Sequence, residues 1–138
     1  MTDPKKLTVV FLLFPGITQL DFTAPAQALS RMPRAQMVGA AADLDPILTD
    51  CGFSILPTHS FGTCPQADIL CVPGGHGVTE ALADAATIAF LRTQAANAAW
   101  VTSVCTGAFL LGRAGLLQDK RGHALGLCPF AAVGRCHA

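Results

Sequence analysis

The sequence predicts an α/β domain: a parallel sheet with helices on both faces. Short apolar runs rich in β-branched residues alternate with segments of helical periodicity. The strongest of these runs are continuously apolar, as strands buried on both faces are. Two of them stop abruptly, at Pro15-Gly16 and at Pro73-Gly74-Gly75. The chain has 138 residues, enough for one core and too few for two.

The first strand is expected over residues 7–14, where every residue but Thr8 is apolar. After a short loop, Thr23 is expected to cap a helix with Pro25 in its first turn and Leu29 and Met32 on its inner face. Pro33 closes that helix. Residues 36–41 read as a second strand, and residues 47–56 as a minor hairpin around Cys51-Gly52. Residues 68–72 form a short buried strand. Asp84 caps the next helix, with Ile88, Leu91 and Ala95 inward and Arg92 and Gln94 toward water. Residues 100–104 are a fourth strand, and residues 107–114 a helix with Gly115 at its C-terminal cap.

From residue 122 the pattern changes. Hydrophobic periodicity disappears, and two of the six cysteines and two of the four histidines fall in this tail. Residues 1–121 are therefore expected to form the domain and 122–138 an aberrant tail. On that reading the domain is small and open, or its C-terminal part is missing.

Composition excludes several classes of function. Hydrophobic residues make up 51% and charged residues 13%, against about 25% charged in average globular chains. With a mean hydropathy of +0.48, the chain is not intrinsically disordered. Nine basic and nine acidic side chains cancel. They form no basic cluster of the kind that displaces counterions from nucleic acid. The apolar run over 7–17 contains Pro15, and that over 101–117 is broken by Gly107, Gly112 and Arg113. A membrane span needs about 20 mostly apolar residues. Residues 1–6 are polar and no small-residue cleavage site follows the apolar stretch. The expected location is the cytoplasm, with the cysteines as thiols, most of them buried.

In doubly wound sheets, ligands sit at the carboxyl ends of the strands. Three loops occupy that edge. In Ser103-Val104-Cys105-Thr106-Gly107, small residues stand two before and two after the cysteine, the spacing of a nucleophile elbow with Cys in place of Ser. Cys105 then sits at a helix start, where the dipole and free N–H groups favour thiolate. A buried structural cysteine has the same local sequence. In Pro73-Gly74-Gly75-His76-Gly77, the glycines let the main chain turn N–H groups into the cleft. Gly75, with the N–H of Thr106, is expected to hold a developing negative charge. No Lys-Ser/Thr follows for a phosphate loop and no third glycine for a dinucleotide loop. Asp21 lies between apolar neighbours in the first loop. A carboxyl near a thiolate acts as a proton donor; at a helix start it also serves as a plain cap. His59 and His76 have no partner at metal-ligand spacing.

Taken together, the loops resemble the ThiJ/PfpI superfamily, which has the class I glutamine-amidotransferase-like fold. The resemblance runs over residues 7–121. It rests on Phe11-Leu12-Leu13-Phe14-Pro15-Gly16, Gln19-Leu20-Asp21-Phe22-Thr23-Ala24-Pro25, Cys71-Val72-Pro73-Gly74-Gly75-His76-Gly77 and Val101-Thr102-Ser103-Val104-Cys105-Thr106-Gly107-Ala108. The Leu-Asp-x-Thr-x-Pro and Thr-Ser-Val-Cys-Thr-Gly blocks are most similar to the isonitrile hydratases. The resemblance implies a flavodoxin-like three-layer sandwich and a lyase that hydrates an isonitrile to an N-substituted formamide. It implies Cys105 as nucleophile, Asp21 as acid/base partner, Thr106 as an accessory beside the thiol and Gly75 at the oxyanion site. It implies no metal or organic cofactor, a small-molecule isonitrile substrate and a second copy of the chain as partner. Phe14 and Ile17 are read as an apolar pocket wall for the substituent.

Relatives continue after Arg121 with Arg-Ala-Thr-Thr-His-Trp, where this chain reads Arg121-Gly122-His123-Ala124-Leu125-Gly126. One set of codons for residues 123–126 contains Thr-His-Trp in a neighbouring frame, so the tail is expected to be a frameshift product, and the activity of the short chain is then in question. Two alternatives stay open. One is another hydrolase or glyoxalase-like enzyme of the superfamily, using the same Cys105. The other is the ligand-sensing domain of an AraC-type transcriptional regulator. A redox-sensing role for Cys105 would use the same thiol.

Overall fold

The computed structural model describes residues 5–118 and the backbone of Ala131–Arg135. Its elements run β1 (Leu7–Leu12), α1 (Gln19–Leu29), β2 (Ala35–Ala41), β3 (Ile47–Leu48), β4 (Ser54–Ile55), β5 (His59–Ser60), β6 (Ile69–Val72), α2 (Val78–Ala83), α3 (Ala85–Asn97), β7 (Trp100–Ser103), α4 (Gly107–Arg113) and β8 (Ala131–Arg135). The main sheet has the order β5-β2-β1-β6-β7-β8. Its first five strands are parallel, and β8 lies antiparallel against β7. β3 and β4 form a separate antiparallel hairpin.

The register explains the apolar runs. Phe11 is level with Cys71, and Cys71 with Thr102. These residues face α1, whose Phe22 ring meets Phe11 edge-on at 5.1 Å between centroids. Val10, Leu70 and Val101 share a level on the opposite face. The core there continues through Leu91 of α3 and Leu110 and Leu111 of α4. β1 is central and covered on both sides, so Val9, Val10, Phe11 and Leu12 are all fully buried. An apolar groove of about 410 Å³ lies beside α1, lined by Leu29, Ile69, Cys71 and Trp100 among others.

The strand order also locates the functional edge. The chain passes from β1 outward to β2, then returns across β1 to β6 and β7. The order therefore reverses beside β1, and a crevice opens where the loops after β1 and β6 diverge.

Several expectations are corrected. α1 begins at Gln19, with Thr18 in extended conformation just before it, so Thr23 is not a cap. The Thr23 hydroxyl instead bonds back to the Gln19 carbonyl at 3.2 Å, and Pro25 is internal. Without an N–H, Pro25 leaves the Asp21 carbonyl no i+4 donor. Gln94 does not face water. It is buried, its Oε1 accepting from the Ala67 N–H at 2.7 Å and its Nε2 donating to the Pro65 carbonyl at 3.1 Å. β5 and α2 have no counterpart among the expected elements; each is too short to display a period. β8 lies in the tail where no strand is expected. The remainder of that tail, including His123, Cys128, Cys136 and His137, lies outside the described residues. Asp84 does cap α3, accepting from the Thr87 N–H at 3.3 Å, and Gly115 takes the left-handed conformation after α4, φ 78°.

Candidate active site

The three loops meet at the carboxyl edge of β1, β6 and β7. Ser103 ends β7, and α4 starts at Gly107. Between them Cys105 has φ 52°. This left-handed conformation is costly for a residue with a Cβ. It makes the sharp strand-to-helix turn that a nucleophile elbow needs. Cys105 is half-buried. The small residue at 107 is required: a Cβ there would stand 2.1 Å from the Val72 carbonyl oxygen. Ser103 is buried, and its hydroxyl has no partner among the described residues.

The glycine loop after β6 joins the other two. The Gly74 N–H donates to Asp21 Oδ2 at 3.2 Å. One residue on, the Gly75 N–H donates to Thr106 Oγ1 at 3.1 Å. Successive amides thus reach the acid of the first loop and the hydroxyl beside Cys105. Gly75 has φ 130°, and a Cβ on it would lie 2.5 Å from both the Gly16 oxygen and the Thr18 nitrogen. In this structure the Gly75 N–H, expected to face the cleft, meets the Thr106 hydroxyl oxygen.

Asp21 sits in the first turn of α1 and is buried. Burial pushes its carboxyl above the ordinary carboxylate range; the Gly74 hydrogen bond opposes this, and the charge of Asp50 adds to it. Asp50 and Thr18 carry no motif in the sequence. The turn of the β3–β4 hairpin brings Asp50 to the site, where its Oδ2 accepts from the Thr18 hydroxyl at 2.7 Å. The two residues are far apart in the chain, so no local spacing displays the pair.

Ile17 does not act as a pocket wall. Its side chain is fully buried, and its backbone bridges Thr49 on one side and Gly75 on the other. Phe14 lines a cavity of about 310 Å³ with Leu13, Ile47 and Phe61, and Asp43, Glu80 and Asp84 also line it.

The four described cysteines are free thiols, but only Cys71 is buried; Cys51 is exposed on the hairpin turn. Burial pushes the Cys64 and Cys71 thiols up to about 11, far from reactive thiolate. Among the described residues, no three His, Cys, Asp or Glu side chains group as a metal site. No helix of these residues is long and apolar enough to cross a membrane.

Comparison with known proteins gives this arrangement a context. The profile of the DJ-1/PfpI family matches residues 7–124. The chain is 48% identical over 115 residues to an isonitrile hydratase of Pseudomonas putida, covering 83% of this chain and 50% of that enzyme. Over 62 residues it is 44% identical to an HTH-type transcriptional regulator of Mycobacterium tuberculosis, covering 44% of this chain and 24% of the regulator. The crystal structure of a ThiJ/PfpI family protein from Pseudomonas syringae superimposes with a TM-score of 0.78 at 38% identity, covering 81% of this chain and 47% of that one. The chain thus spans about half the length of the hydratase and of the crystallised protein. It belongs to the DJ-1/PfpI family.

Proposed function

We propose that this chain carries the catalytic half-site of an isonitrile hydratase: Cys105 as nucleophile, Asp21 as proton donor and acceptor, Thr106 as an accessory and the glycine loop as their common mount. The observation that carries the reading is the pair of successive amides, Gly74 on Asp21 and Gly75 on Thr106, which ties an acid to the threonine that follows Cys105 in its left-handed elbow. The similarity to the Pseudomonas putida hydratase supports the choice of substrate class.

The reaction balances without a redox partner. The Cys105 thiolate forms a C–S bond to the terminal isonitrile carbon while the protonated Asp21 gives its proton to the same carbon. The product is a thioimidate, R–N=CH–S–Cys. Asp21, now a carboxylate, takes a proton from water as the oxygen adds to that carbon, and passes it to the nitrogen. The tetrahedral adduct then collapses. Its hydroxyl proton returns to Asp21, the C–S bond breaks, and the N-substituted formamide leaves. Because the Thr106 oxygen already accepts from Gly75, its own hydrogen is free to point at the reacting carbon's substituents. Burial of Asp21 serves this scheme by favouring the protonated form from which the cycle starts. The free thiols fit a reducing compartment, the cytoplasm, and a second copy of the chain is the expected partner.

The test is incubation with cyclohexyl isocyanide and quantification of N-cyclohexylformamide. Wild-type chain is expected to form it, and Cys105→Ser and Asp21→Asn are not. Formation at an undiminished rate by Cys105→Ser would refute the assignment.

A second reading is favoured by the regulator similarity. On it, the same pocket senses a small ligand. Saturable binding of an isonitrile without turnover, by a chain whose Cys105 stays unmodified, would select that reading.

A further inference from the structure

The β3–β4 hairpin is not part of the main sheet, yet it is fastened to the active-site edge. The Gly16 N–H donates to the Leu48 carbonyl at 2.8 Å, and the Asp50 N–H to the Ile17 carbonyl at 3.0 Å. Thr49 forms a parallel bridge with Ile17. The same three residues, 16–18, are fastened from the other side by the glycine loop. The Thr18 N–H donates to the Gly74 carbonyl at 2.9 Å, and Gly75 bridges Ile17. The segment leading into α1 is thus held between the hairpin and the loop that binds Asp21.

Thr18 behaves unusually within this frame. It stands at the N-cap of α1, where a threonine hydroxyl ordinarily accepts from a backbone N–H in the first turn. It makes no such bond. Its hydroxyl donates instead to Asp50 Oδ2 at 2.7 Å. The backbone bonds already fasten the hairpin, so this side-chain bond does something further: it fixes where the Asp50 carboxyl group stands relative to the mouth of α1, three residues before Asp21.

We propose that Asp50, oriented by Thr18, is a positioning residue of this site: its carboxyl group is set at the mouth of α1, where Thr18 also takes the Asp21 N–H on its carbonyl at 3.1 Å, to act on the Asp21 side chain. The inference rests on the hydratase reading for its purpose, but not for its test. Two carboxyl groups brought to one site resist joint ionisation. Asp21 is the buried member and Asp50 the exposed one, so of the two it is Asp21 whose ionisation is disfavoured. The other titratable groups on the surrounding elements are His76 on the glycine loop, Cys51 on the hairpin and Cys105 at the elbow; α1 carries no further charged side chain. Asp50 is the group whose charge acts on the Asp21 carboxyl, in the same direction as burial and by less.

The experiment is a carboxyl-carbon NMR titration of the chain labelled at aspartate, with Asp21→Asn to assign the resonance. It is run at low ionic strength, where screening of an exposed charge is weakest. Asp50→Asn keeps an acceptor for Thr18 and removes the charge. It is expected to lower the Asp21 midpoint, while Asp50→Glu leaves it near the wild-type value. Thr18→Val keeps the charge but frees it to move, and an intermediate midpoint is expected. An Asp21 midpoint unchanged in Asp50→Asn, or lowered equally in Asp50→Glu, would overturn the proposal. If the chain turns over isonitrile, the alkaline limb of kcat/KM is expected to move to lower pH in Asp50→Asn, in step with the NMR midpoint; an unmoved limb counts against it. Absence of turnover in every variant bears on the hydratase reading alone, because the titration needs no catalysis.

Discussion

Replacing Cys105 by glycine is expected to leave the fold more stable than replacing it by alanine. Both substitutions remove the thiol, so their difference isolates the backbone. Cys105 has φ 52°. A residue with a Cβ loses about 1–2 kcal/mol in that conformation, and glycine does not. Glycine gives back about 0.4–1 kcal/mol through the greater freedom of its unfolded chain. The balance is about 1 kcal/mol in favour of Cys105→Gly. With a urea slope of about 2 kcal/mol per molar, the unfolding midpoint of Cys105→Gly should exceed that of Cys105→Ala by about 0.5 M. The assay is urea denaturation followed by circular dichroism. Equal midpoints, or a higher one for Cys105→Ala, would mean that the elbow is not strained and that the placement of the thiol needs another explanation.

Other substitutions probe the frame around the site. Gly107→Ala puts a Cβ 2.1 Å from the Val72 carbonyl oxygen and 2.7 Å from that of Pro73. The backbones must separate, and a loss of about 1–3 kcal/mol is expected in the same urea assay. Gln94→Leu leaves the buried Ala67 N–H without its acceptor, at a cost of about 1–3 kcal/mol; a neutral result would mean that the amide finds another partner. Asp21 links stability to pH. Its folded carboxyl is shifted upward from 3.8, so its favourable contribution is complete below the unfolded value and is lost as pH rises through the folded one. Asp21→Asn should therefore gain on wild type as pH rises from below 3.8, and the gain should level off above the raised midpoint. Urea midpoints across that range check it, and a pH-independent difference would contradict the burial argument.

Much of the sheet was legible because its strands are covered on both faces. The continuous apolar runs at β1 and β6 and the punctuation at Pro15-Gly16 and Pro73-Gly74-Gly75 have no other ready explanation. The start of α1 was misread because Thr23 with Pro25 two residues later imitates a cap followed by an N-terminal proline; the first turn actually forms over Gln19-Leu20-Asp21. Gln94 was misread because helical periodicity sees only polarity, and its burial depends on backbone groups of residues 65 and 67. At the candidate site, Cys105, Thr106 and Gly75 lie in the loops the sequence points to, and Asp21 in the first turn of α1. Their connections were not legible. The bond from the Gly75 N–H to the Thr106 hydroxyl oxygen joins two loops far apart in the chain. Asp50 enters through a hairpin whose contact with Thr18 is tertiary, beyond the reach of any motif.

The most direct test of the central claim is to look for the covalent intermediate itself. The chain is mixed with cyclohexyl isocyanide, quenched rapidly, and its mass measured intact and after proteolysis. The account predicts an adduct of one isonitrile per chain, located on the peptide containing Cys105, formed more slowly in Asp21→Asn, which lacks the proton donor, and absent from Cys105→Ser. Formamide produced by wild type with an adduct on Cys51, Cys64 or Cys71 instead, or an unaltered yield from Cys105→Ser, would contradict it.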